Sequence, residues 1–145
     1  MEKIAFRLGP NDEHPAARWE YLWARELGDG TFQIDNVPLL VRGISAGDRV
    51  AVVRHELGLL FRDRLASGGH STLRVLVPGS EATDAAIARL CSILKRVGCA
   101  TELSHIPGLI AVDVPPTVAL DSVRRFLEEG QQQQLWHVDE ACVAP

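Results

Sequence analysis

The chain has 145 residues, of which 46% are apolar, and a formal charge of -4. That supports one ordinary domain or two very small ones and excludes disorder as the default. Neither half is basic, which argues against electrostatic binding to nucleic acid or an anionic membrane.

At the N-terminus Ile4, Phe6 and Leu8 alternate with Lys3, Ala5 and Arg7, the period-2 pattern of a half-buried strand. Charges break this stretch, so no secretion signal is expected, and no stretch has the ~20 apolar residues of a membrane span. Gly9 to Pro15 reads as a loop. Trp19–Glu26 and Thr31–Ile34 read as strands joined through Gly28-Asp29-Gly30, a turn signal that tolerates positive φ. Asn36-Val37-Pro38 breaks the ladder, because Pro38 donates no hydrogen bond. Arg49–Arg54 and Leu59–Leu65 form a second hairpin. Five short strands in this space predict a small β-barrel-like module over residues 1–68.

The rhythm changes at Ser67-Gly68-Gly69. Leu73–Val77 is an apolar strand. Ser80 is the expected N-cap of a helix whose apolar face holds Ile87, Leu90, Cys91, Leu94 and Val97, closed by Gly98. Cys99–His105 and Leu109–Val114 read as strands. A second helix carries Leu120, Val123 and Leu127 and ends at Gly130, and Leu135–Val143 is a last strand. The order β-α-β-β-α-β over residues 69–145 is the ferredoxin-like pattern. The fold class is thus α+β, two modules packed as one unit, since so small a barrel is marginal alone.

Several pieces of the first half occur together: Glu20-x-Leu22-Trp23-Ala24, Gly28-Asp29-Gly30, Asn36-x-Pro38, Gly43, Gly47-Asp48 and Ser67-Gly-Gly-His70-Ser71-Thr72-x-Arg74. In order and spacing, over roughly residues 3 to 115, they resemble the bacterial domain-of-unknown-function family 4265. Leu39 departs from the aromatic residue often found there in the family. The resemblance implies a small bacterial, cytoplasmic protein and marks Glu20, Trp23, Asn36, Asp48, His70, Ser71, Thr72 and Arg74. It implies no activity.

The segment His70-Ser71-Thr72-Leu73-Arg74 is the leading candidate site. On a strand, His70, Thr72 and Arg74 share one face and Ser71 takes the other, so Ser71 and His70 cannot meet as nucleophile and base. The structural alternative has Arg74 pairing with Glu20 or Asp48 across the junction. Trp19, Tyr21 and Trp23 alternate on one face. Core is the expectation for Trp23, while Trp19 stands between core and a contact platform. His14, His55, His105 and His137 lack metal-site spacing, and no phosphate loop or cofactor motif is present. The first and third strands of the second module lack stacking aromatics, which removes the usual reason to propose RNA. Three cysteines, Cys91, Cys99 and Cys142, suit buried thiols in a reducing cytoplasm.

These features point to a non-enzymatic binding module for a protein or small molecule, such as an immunity or accessory protein. It would use His70, Ser71, Thr72, Arg74, Glu20, Asn36 and Asp48, with Trp19 and Trp23 as aromatic contacts and the open face of the second sheet as an interface. The alternatives are a small hydrolase or transferase using Ser71 with a histidine, and a regulatory domain binding a metabolite at a homodimer interface.

Overall fold

The computed structural model describes residues 1–12 and 18–145; His14 and the end of the first loop lie outside them. The chain is a mixed α+β fold with two sheets and two helices. The first sheet contains β1 (Glu2–Arg7), β2 (Trp19–Glu26), β3 (Phe32–Ile34), β4 (Arg49–His55) and β5 (Gly58–Ala66). Each strand pairs antiparallel with the next. β5 then returns to β1 in parallel, Ile4 opposite Leu59 and Ala5 opposite Leu60, so the pairing closes on itself. Ile4, Phe6, Leu22, Phe32, Ile34 and Val50 fill its interior, and Phe6 stacks on Phe61.

The second sheet contains β6 (Ser71–Leu76), β7 (Ala100–Leu103), β8 (Leu109–Val114) and β9 (His137–Cys142) in the order β7-β8-β6-β9, all neighbours antiparallel. Helices α1 (Asp84–Arg96) and α2 (Leu120–Gln132) cover one face. Their Leu90, Leu94, Val123 and Leu127 pack on Leu73, Val75, Ile110 and Val112. Among the described residues, no helix is long and apolar enough to cross a membrane.

Most strand ends shift by one or two residues from the sequence reading, β6 starting at Ser71 and β9 at His137, and three further boundaries differ. The N-cap of α1 is Thr83, whose hydroxyl accepts the Ala86 amide at 3.1 Å; Ser80 lies in the preceding turn. Gly130 does not end α2. Trp136 folds back over it, donating from Nε1 to the Leu127 carbonyl at 2.8 Å, and a Cβ at position 130 would stand 2.0 Å from the indole. The glycine is there for a close approach. The strand after Gly98 stops at Leu103, short of His105.

The other face of the second sheet is not open. Every residue of β8 is buried, and so is all of β6 except Leu76. The connection between β3 and β4, residues 35–48, lies across that face. It is fastened by main-chain and side-chain bonds to β6 and β9, including the Gly43 amide to the Ala141 carbonyl at 3.0 Å. The expected interface there is thus already occupied by the chain itself.

Candidate functional site

The junction is built around the 38–41 main chain. Glu20 is an inward residue of β2, alternating with the outward Trp19 and Tyr21. Its carboxylate accepts the amides of Leu39, Leu40 and Val41 at 2.8, 3.1 and 2.8 Å. From the other side Arg74 of β6, 2% exposed, donates to the carbonyls of Leu40 at 3.0 Å, Pro38 at 3.3 Å and Val41. Glu20 and Arg74 therefore meet through the same short stretch of backbone, one taking its donors and the other its acceptors. This arrangement satisfies groups that a buried loop would otherwise leave unpaired. Asn36 holds the start of the connection by accepting the Trp23 amide with its side-chain oxygen.

Two residues before Arg74 on the same face of β6, Thr72 shares a 2.7 Å hydroxyl hydrogen bond with Ser45. Asp48 accepts the Ser45 amide at 2.9 Å and the Gly68 amide at 3.1 Å, and its guanidinium partner is Arg64 at 3.7 Å. Gly68 packs so tightly that a Cβ there would lie 2.4 Å from the Gly47 carbonyl oxygen. Ser71 points to the opposite face from Thr72, and its hydroxyl accepts the Ala144 amide at 3.0 Å. Thus Glu20, Asn36, Asp48, Ser71, Thr72 and Arg74 all hold main chain or core polar groups.

His70 is the half-buried member. Its Nδ1 lies 2.9 and 3.0 Å from the two carboxylate oxygens of Asp113 on β8. Burial raises the Asp113 carboxyl above its ordinary range, outweighing the hydrogen bond and charge of His70. Burial, helped by the Asp113 charge, pushes the neighbouring Cys99 thiol up to about 11. That thiol is protonated at neutral pH and is no nucleophile. Among the described residues, no three of His, Cys, Asp and Glu come together as metal ligands.

The aromatic row lies outside the core, contrary to the expectation for Trp23. Trp19, Tyr21 and Trp23 are 41%, 60% and 42% exposed, while Glu20, Leu22 and Ala24 face inward. The interior is already filled by Phe6, Phe32 and aliphatic side chains, and the inner row must also deliver Glu20 to the 39–41 amides. Period 2 places the three aromatics together, but it does not say which side of the sheet is the core. Lys3 sits 5.1 Å from the centre of the Trp23 ring. Beside this row, a surface depression of about 390 Å³ is lined by Ala5, Trp19, Tyr21, His55, Leu57 and Leu60 among others. Leu57, at the β4–β5 turn, is 94% exposed.

Sequence reasoning missed Asp113 and Ser45. Asp113 carried a signal, a lone acid in the otherwise apolar β8, whereas Ser45 in a turn-rich loop carried none. It also missed Tyr21, Leu57 and Leu60 as one surface, because the parallel closure of β5 on β1 that joins them is a long-range event.

The comparisons with known proteins bear on the fold and the family. The chain is similar to a solved structure described as "Novel crystal structure of a hypothetical protein from Neisseria gonorrhoeae". The TM-score is 0.76 at 18% identity, covering 100% of this chain and 97% of that one. At that identity the likeness speaks for the fold alone. No curated protein matches the chain. The family model described as Domain of unknown function (DUF4265) matches residues 20–138, beginning and ending later than the stretch that carries the sequence resemblance. The chain belongs to that family.

Proposed function

We propose that this member of the DUF4265 family is a non-enzymatic binding protein, and that it meets its partner with the outer face of its first sheet. The observation behind this reading is the exposure of Trp19, Tyr21 and Trp23 together on one strand. Aromatic anchors of this kind dominate binding energy at protein interfaces. The junction supports the same reading by exclusion of place: Glu20, Asn36, Asp48, Thr72 and Arg74 are engaged in holding the 35–48 connection, and Ser71 holds the Ala144 amide. Within this reading, the closed first sheet is a small barrel. The second sheet with its helices is a ferredoxin-like unit, supported by the order β7-β8-β6-β9. The three free cysteines fit a reducing, cytoplasmic setting.

A second reading, a hydrolase or transferase, has one supporting observation, the imidazole of His70 held by Asp113. Its nucleophile would have to reach His70 from the solvent side, since Ser71 projects to the other face.

The two readings separate in one set of variants. Trp19→Thr and Tyr21→Thr should each leave the melt within about 0.5 kcal/mol of wild type, as surface changes do. Together they should abolish capture of the partner identified with the wild-type chain from its host. Full capture by the double variant, with loss in His70→Ala instead, would reject the outer face.

A further inference from the structure

The outer face has a definite chemical character. Cross-strand register lines up Tyr21 with Ala5, Ala5 with Leu60, and Leu60 with Val53, an apolar row running across four strands. Trp19 and Leu57 border the depression at its middle. Cations stand on both sides of the row. Lys3, opposite Trp23, precedes it, and Arg7, opposite Trp19, follows it. Arg62 stands two residues beyond Leu60 on β5, which runs parallel to β1. Among the described residues, Asp63 lies 3.4 Å from Arg62, Glu56 is in the β4–β5 turn and Glu2 precedes Lys3. A chain of net charge -4 thus presents its exposed apolar row between cations.

We infer that this face binds an amphipathic helix of a partner protein whose apolar stripe is flanked by Asp and Glu. The inference rests on the reading above and names the occupant. Charge complementarity selects acidic flanks, since like charges across an interface are costly. The same rule disfavours a second copy. Symmetric docking of this face on itself would set one cation-flanked row against another, bringing Lys3, Arg7 and Arg62 near like charges. At the middle of the row, Ala5 of β1 is paired with β2 on one edge and β5 on the other, so side chains make the contact there. The chain's net charge of -4 disfavours single-stranded nucleic acid, but Trp19, Tyr21 and Trp23 do offer planes on which bases stack, so that occupant is a competing outcome of the test.

The test uses defined probes on the full chain: a synthetic helical peptide with a leucine stripe flanked by Glu, the same stripe flanked by Lys, and oligo(dT). Binding is followed by fluorescence anisotropy and by chemical-shift mapping. The Glu peptide should bind best, with shifts centred on Ala5, Tyr21 and Leu60. Tyr21→Thr should weaken it about tenfold or more. Lys3→Glu with Arg7→Glu should reverse the preference toward the Lys peptide. Equal or better binding of the Lys peptide or of oligo(dT) on this face would overturn the occupant while leaving the surface standing. So would concentration-dependent dimerisation through this face, or no binding by any probe while host capture still depends on Trp19 and Tyr21. Shifts centred elsewhere, with host capture surviving the Trp19 and Tyr21 changes, would overturn both.

Discussion

Arg74 and Glu20 are buried ions whose partners are mostly backbone. Removing either leaves several buried main-chain groups without partners, at a cost far above that of a surface contact. Arg74→Ala and Glu20→Ala should each destabilise the chain by about 3–5 kcal/mol in urea titration. A loss under about 0.5 kcal/mol would mean that the connection does not depend on them. Asp113 offers a pH test. A carboxyl raised on folding contributes stability below its unfolded value of 3.8, and that contribution is lost as pH rises through the higher folded value. The stability advantage of wild type over Asp113→Asn should therefore be largest in acid and shrink as pH rises. An advantage that grows with pH would mean that the His70 contacts outweigh burial at Asp113, against the direction described. At this scale the sequence was partly legible. Alternation put Thr72 and Arg74 on one face and Ser71 on the other, because β6 is regular from Ser71 onward. The carbonyl partners of Arg74 were not legible, because every residue carries a carbonyl.

Elements were legible wherever local chemistry decides them. Asp-Gly turns, the apolar stripe of α1 and the run of β8 are local signals, and their elements fall close to where the sequence puts them. Errors arise where a distant contact decides. Gly130 reads as a helix stop, yet α2 continues to Gln132, and the glycine instead leaves space for an indole from beyond the helix. The consequence is testable. Alanine normally favours a helix over glycine by up to about 1 kcal/mol, but Gly130→Ala should lower stability, by about 1–3 kcal/mol of overpacking. Thermal melting decides the sign, and a stabilised variant would show that Trp136 yields freely.

For the whole molecule, the 35–48 connection is the decisive piece. It belongs to the first sheet by sequence and covers the second sheet by position, so its anchors tie the two together. Nothing local in Asn36-Val37-Pro38 or Gly47-Asp48 announces this; composition reads it only as a break in the ladder. The most direct measurement is native-state hydrogen exchange of the Leu39, Leu40 and Val41 amides, which sit in a stretch with no helix or strand. Their partner is the buried Glu20 carboxylate, and Arg74 holds the same backbone from the second sheet. They should exchange only through global opening, as slowly as the central amides of β6 and β8. Exchange at the rate of an exposed loop, with β6 and β8 still protected, would contradict the account of a connection clamped between the two sheets.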